Sequence, residues 1–567
     1  RGWCWSRKHD FDKAIADFSE VISLNPRDSY AFRGRAVCRM NQRDYDSAIP
    51  DFSTALQIDP QDSAARSHRA RCWFEKAEYD NAIADYGGAI SIAPTNAAHF
   101  AGRANCWAEK RDYDRAIADL NEAISIAPQN AQYLKRRAKC WTGKWDFDKA
   151  ISDYSEAITI DPKDGDAFSQ RASCWLGKRN YDQAIHNYSE AIALDPKDTH
   201  ALNQRAMCWV TKQEYDKALA DFGQAIEVDP KDPTTFGYRG AHWFQRREFD
   251  KAIADHSEAL SIDPTHMFSL LNRALCWIEK NEYDKAIADY NEVIRIVPND
   301  SASLVQRAQC WIHRDDCDTA IIDLNEAITI DPNNAEARRW RACCWASNGE
   351  HHKAIADFSQ AIDLDPTDAY SVHGRAHCWF EQDEFGKAIV DYSKAIDLDP
   401  KNAAYLTNRA ICWIEKAEYE KAFVDLNEAI SIDPEYAESF LNRARCWSQR
   451  GDREKAESDF IEAEKVGADD AEALNDIAWL YATCPDEKCR NGRKAVTHAM
   501  TACELSDWKQ ANIIGTLAAA CAEDGQFEKA VEWQTTAQEM YSESAKNKWA
   551  FLLDQYKSGK PYRNVKK

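Results

Sequence analysis

The sequence predicts an all-α solenoid, a stack of antiparallel helical hairpins, on three observations. Proline recurs at a constant step of 34 residues, at Pro26, Pro60, Pro94, Pro128 and onward without a break to Pro434. Alanine keeps the same step from Ala14, Ala48 and Ala82 to Ala456. Between successive prolines the apolar residues fall at three- and four-residue spacings in two stretches parted by a short polar turn, which is the pattern of two amphipathic helices. Length alone suggests three or four globular domains, but a fixed period decides the architecture first, so the 567 residues are read as one repeating array.

Residues 267–300 represent the unit. In the first half Leu270, Arg273, Ala274 and Trp277 share a face; in the second Tyr283, Ala286, Ile287, Tyr290, Ile294 and Ile296 do so. The turn from Lys280 to Glu282 makes the helices antiparallel neighbours, and Pro298 ends the second because its ring cannot continue the hydrogen-bond ladder. Ala274 and Ala286 let backbones approach while Trp277 and Tyr290 fill the space beside them. A lone hairpin would leave that face wet, so each unit needs its neighbour. Burial of one aromatic ring removes about 150–250 Å² from water, an upper bound of roughly 4–6 kcal/mol.

A 34-residue hairpin with small residues at positions eight and twenty, aromatics at eleven, seventeen and twenty-four and proline at thirty-two resembles the tetratricopeptide repeat, over nearly the whole chain. The resemblance is to a bacterial-type tandem array with an Arg, Cys and Trp variant of the repeat. It implies a right-handed superhelix of about sixteen hairpins and a C-terminal capping helix, in roughly two turns, with first helices on the concave face. It also implies a groove that takes peptides or helices through positions two, five, nine, twelve and thirteen.

The chain departs from the family pattern at position seven, where Arg replaces the usual Leu in every unit from Arg1 to Arg443. A charge there needs a partner, and Asp at position twenty-three supplies one, with Asn187 the exception. A ladder is expected from pairs such as Arg69 with Asp85 and Arg273 with Asp289. Trp73 and Trp277, four residues after each Arg, offer guanidinium stacking as well. Position ten is Cys in all units but one, where His242 stands. Equivalent points of stacked helices lie about 8–10 Å apart, too far for a disulfide, so these thiols are expected to be small core residues. Such a series fits a reducing cytoplasm slightly better than an extracellular setting reached after removal of an upstream signal.

The array divides into a truncated first hairpin over 1–28, thirteen regular repeats over 29–470, two degenerate hairpins over 471–542, and a cap helix and tail over 543–567. Arg1 aligns with position seven, so the chain is expected to be part of something longer, or to receive its missing turn from a neighbour. A formal charge of -22 repels nucleic-acid phosphate and anionic lipid, and no apolar run reaches the 18 residues of a membrane span.

No phosphate-cradling loop, zinc-protease helix or nucleophile elbow occurs, and no enzyme or cofactor is expected. His373, His377 and Glu381 follow at four-residue steps with Cys343 in the preceding repeat, which is metal-ligand spacing, though ordinary groove polarity is the preferred reading. Cys484 and Cys489 flank an inserted loop, as a disulfide, a zinc site or unpaired thiols. His242 and His256 are read as a hydrogen-bonded core pair.

The larger apolar groove members are Tyr30, Phe74, Phe244, Phe268, Leu271, Leu275, Ile278, Ile312, Tyr370, Phe380 and Ile414, and the cations are Arg71, Lys135, Lys139, Arg339 and Arg445. The stretch from Phe244 to Ile312 is the expected anchor for a partner. The family's Lys and Asn clamp for a terminal carboxylate is missing, since Lys135 is followed by Lys139 and Asn105 preceded by Ala101. Two readings follow: a non-catalytic scaffold that binds a protein or peptide in the groove, or a structural subunit that self-associates end to end into a fibre.

Overall fold

One period shows how the chain folds. In the computed structural model, which describes residues 1–484, 487, 490–541 and 543–563, α9 (Ala131–Gly143) begins where Asn130 accepts a hydrogen bond from the Gln132 amide. The next helix, α10 (Phe147–Ile160), begins where Asp146 accepts from the Lys149 amide. Between them Trp145 takes φ 62°, and the Asp146 amide donates back to the Trp141 carbonyl at 3.0 Å, closing the turn in the manner of a Schellman motif. The same left-handed residue recurs as Arg43, Ala77, Arg111 and Gln213, with φ 59–62°, whereas Gly349 and Gly451 are the residues such a turn favours.

Among the described residues every regular element is helical: 33 helices run from α1 (Gly2–Arg7) and α2 (Phe11–Leu24) to α33 (Glu543–Lys557). The chain forms two units, Arg1–Cys276 and Trp277–Lys567. Each is an all-α repeat solenoid in which consecutive helices pack as hairpins and successive hairpins pack on each other. Ala138 and Ala150 are wholly buried, Tyr154 is 3% exposed, and Cys174 of the following hairpin closes their cluster. The cysteine at position ten is therefore the contact by which one hairpin seals its predecessor. No disulfide joins any described cysteines, and burial pushes the Cys72 and Cys106 thiols up to about 12. Cys4 is exposed, and Cys489 lies outside the described residues.

Position seven carries most of the polar structure. Arg137 donates from Nε and Nη2 to the two carboxylate oxygens of Asp153, at 2.8 and 2.7 Å, and from Nη1 to Asn121 of the preceding hairpin at 2.8 Å. Arg69 holds Asp85 through the same fork, at 2.7 and 2.6 Å, and reaches back to Ser53 at 2.9 Å. The pattern repeats at Arg35, Arg205, Arg307, Arg341, Arg375, Arg409 and Arg443. Each guanidinium thus ties both helices of its hairpin to the hairpin before it. Arg103 and Arg239 hold their aspartates but face Gly87 and Gly223 where the backward acceptor would stand. Arg171 keeps the backward bond, to Ser155 at 3.0 Å, but meets the neutral Asn187, at 2.7 Å, in place of an aspartate, and burial lowers its pKa.

The expected stacking of these arginines on the Trp four residues later gives way to another partner. The cation over the indole comes from position nineteen: Lys285 lies 4.5 Å from Trp277, Lys149 4.3 Å from Trp141, and Arg115 3.7 Å from Trp107. Trp73 has Asn81 at that position. The guanidinium is already committed to Asp and cannot turn toward the ring.

His242 and His256 are both buried but do not pair with each other. His256 Nδ1 lies 3.4 Å from the Ser269 hydroxyl, while the His242 ring nitrogens are unpartnered against Tyr215 and Trp243. Gly240 makes the room, because a Cβ there would meet His256 at 2.8 Å. Burial, ahead of the charges of Arg273 and His266, holds His256 down at about 4.

Two expectations follow. Gly223→Ser supplies Arg239 with the missing acceptor and a better helix former, and nothing within 4 Å of Gly223 opposes a Cβ. It should stabilise the chain by about 1 kcal/mol, read as a raised urea midpoint, while Asp221→Ala should destabilise by about 3 kcal/mol. His256 is neutral in the fold, so its contribution is complete above the ordinary histidine pKa of 6.5 and is lost as pH falls from there toward about 4. The melting temperature of the wild type should therefore drop more steeply over that window than that of His256→Phe, with up to about 3 kcal/mol at stake.

Candidate functional site

The residues expected to anchor a partner fall in both units and are described separately. In the first, Phe244 packs on Phe249 at 5.6 Å and Phe268 on Tyr238 at 5.8 Å; Leu271 is half-buried and Leu275 exposed. In the second, Ile278 and Ile312 are half-buried, Ile312 against the cluster around Leu304, and Phe380 packs on Phe385 at 5.6 Å. Tyr370 is 50% exposed.

The cations sort by whether a neighbouring hairpin neutralises them. Lys135 is held by Asp164 at 2.7 Å and Asp166 at 3.0 Å, Arg339 by Asp368 at 3.4 Å, and Arg445 by Glu415 at 3.3 Å. Arg71 and Lys139 form no ion pair among the described residues, nor does Arg136, which the sequence reading did not single out. These three exposed cations converge on the first unit, where Arg71 and Arg136 both act on Tyr86, a phenol that burial raises well above its ordinary range.

Arg136 and Lys139 line a cavity of about 810 Å³ between α5 (Ser63–Glu75), α7 (Ala97–Glu109) and α9. Phe74, Ala108, Tyr113 and Phe147 supply apolar wall, Asn105 an amide and Glu109 a single carboxylate. Tyr113 can lie against α9 because Gly143 has no Cβ, which would otherwise stand 2.6 Å from the ring. At the rim Trp145, 80% exposed, makes an edge contact with Phe147. The left-handed turn at Trp145 is what lifts that indole clear of the core.

The residues considered for a metal do not form a cage. His373 stacks on Tyr405 at 4.9 Å with its Nε2 3.0 Å from the Asn408 amide nitrogen, and burial, ahead of His377, holds it down at about 4. Cys343 instead meets Tyr370, and His377 lies beside Phe380. Among the described residues no three His, Cys, Asp or Glu side chains are placed to share a metal ion. A thiol contact missed by sequence joins Cys317, where most hairpins have Tyr or Phe, to Cys344, and that hydrogen bond lowers the Cys317 pKa.

The fold resembles several solved structures at low similarity. The Cut9-Hcn1 hetero-tetramer of the APC/C matches with 17% identity and a TM-score of 0.40, over 89% of this chain and 98% of that one. YrrB, described as a TPR protein with an unusual peptide-binding site, matches with 23% identity and a TM-score of 0.29, over 33% of this chain and 95% of that one. A tetratricopeptide repeat protein from Parabacteroides merdae matches with 18% identity and a TM-score of 0.33, over 44% of this chain and 98% of that one. No curated protein matches. The family described as tetratricopeptide repeat matches in overlapping segments over residues 6–165, 176–301 and 307–369, more than half of the sequence. By that match, and by the hairpins that carry it, the chain belongs to the tetratricopeptide-repeat family.

Proposed function

We propose that the chain is a non-catalytic scaffold that holds an extended acidic segment of a partner protein in the groove between α5 and α9. Repeats of this family support a protein-interaction role in general. The finer reading rests on one observation: in a chain of net charge -22, Arg71, Arg136 and Lys139 stand exposed and unneutralised beside an aromatic-walled groove. Acidic side chains of a peptide would meet the cations, and its apolar side chains would bury against Phe74, Tyr113 and Phe147. The surrounding negative surface repels acidic ligands elsewhere, which concentrates them here.

Fluorescence anisotropy with a labelled peptide alternating Glu with Leu tests this. Binding should weaken as salt rises, and the paired substitution Arg136→Glu with Lys139→Glu should weaken it at least about tenfold, or 1.4 kcal/mol, with the helical circular dichroism unchanged. A Lys and Leu peptide that binds as well, or a charge-reversed variant that binds the acidic peptide unaltered, would refute the reading.

A further inference from the structure

At the C-terminal end of the second unit the hairpins lose the regular pattern, and a second cavity, of about 320 Å³, opens there. It is walled by Trp479 of α29 (Ala471–Thr483), Trp549 of α33 and Tyr562 of the tail. Trp479 meets Trp549 at 5.9 Å and Tyr562 at 5.7 Å, so three rings form one aromatic corner. Trp479 occupies position nine, a groove position that holds Trp in no earlier hairpin except the first, at Trp3.

Two polar features of this cavity are unsatisfied by the protein itself. Gln534 of α32 (Phe527–Met540) is 0% exposed, yet among the described residues neither its amide oxygen nor its amide nitrogen has a partner; Asn475 Oδ1 is likewise unpartnered there. A buried primary amide with both ends unmatched calls for a ligand or a water. The second feature is Asp476. It reaches water in the groove, but its charged neighbours are acids, Glu438, Glu472 and Asp470, and among the described residues its hydrogen-bond donor is the Asn475 amide at 3.1 Å. Partial desolvation against the groove wall, ahead of those acids, raises its carboxyl above the usual carboxylate range. Arg445, which lines the adjoining shallow groove, is held by Glu415 at 3.3 Å.

We infer that this cavity binds an organic cation bearing N–H groups, an alkylguanidinium or primary alkylammonium head, whose hydrogens point to Asp476, Gln534 and Asn475 while its carbon or planar face rests on Trp479, Trp549 and Tyr562. Oxygen acceptors without donors, acids without a cation and a ring corner are the three parts that such a head requires. A neutral ligand would leave the acids unanswered, and a quaternary ammonium would leave the acceptors unanswered; the Gln534 amide nitrogen, a donor that a cationic head does not meet, falls to a water beside it in the same cavity. The cavity lies at the small end of the range for ligand sites, which suits one head group or one side chain. It uses residues of the second unit alone and is independent of the acidic-peptide groove.

Titration of the full chain with butylguanidinium, followed by tryptophan fluorescence, tests the site against its neutral isostere butylurea and against tetramethylammonium. Butylguanidinium should bind saturably with a dissociation constant below about 1 mM and at least about tenfold more tightly than either control. Asp476→Asn and, separately, Trp479→Leu should each weaken it about tenfold while the helical signal and melting temperature hold. The peptide acetyl-Gly-Arg-Gly-amide distinguishes the source: tighter binding than butylguanidinium assigns the site to an arginine of a partner protein, and weaker binding to a free amine or guanidine. Equal binding of butylurea, no saturation by butylguanidinium at about ten times that concentration, or full affinity in Asp476→Asn would overturn the inference.

Discussion

A guanidinium that must satisfy three acceptors at once governs this array. Position seven lies on the buried face of the first helix, where an unpaired charge would be costly. The aspartate at twenty-three answers it with a two-pronged bond, as between Arg137 and Asp153, leaving one nitrogen directed at the preceding hairpin. That third bond is sensitive to position, because a slip of one residue in either helix removes the acceptor. The alanines and rings provide cohesion through apolar burial, which is tolerant of sliding, and the arginine fixes the register at which they meet.

This division of labour explains why the core can be so uniform. Ala138, Ala150 and Cys140 repeat almost unchanged in each hairpin, and a core of identical small residues could pack in several offsets. The polar clasp selects one of them. It also frees the exposed positions of the first helices to vary, as Arg71, Lys139 and Trp479 do at position nine.

Much of this architecture was legible in the sequence, and the reasons differ element by element. The hairpins were readable because Ala274, Trp277, Ala286 and Tyr290 carry both the helical spacing and the long period. The pairing of Arg69 with Asp85 was readable because opposite charges recur at one offset on facing helices. The backward bond to Ser53 was not, since a short polar residue on the second helix looks the same whether it faces water or a neighbour. The left-handed turn was concealed for a similar reason: Arg43, Ala77 and Trp145 stand where the usual glycine signal would be. The groove was the least legible part. Side-chain type set Arg71 and Lys139 among the groove cations without distinguishing them from Lys135 and Arg339. Whether a cation is available depends on the acid opposite it in the next hairpin, as Asp164 shows for Lys135 and Asp368 for Arg339. That is a property of packing across the repeat boundary.

The two junctions at Gly87 and Gly223 differ mechanically from the rest. Hairpins joined only to their neighbours behave as springs in series, and strain in such a series gathers at the most compliant coupling. With the backward clasp missing at Arg103 and Arg239, flexing of the first unit concentrates at those two joints, while the clasped segments between them keep their pitch and move as stiff blocks.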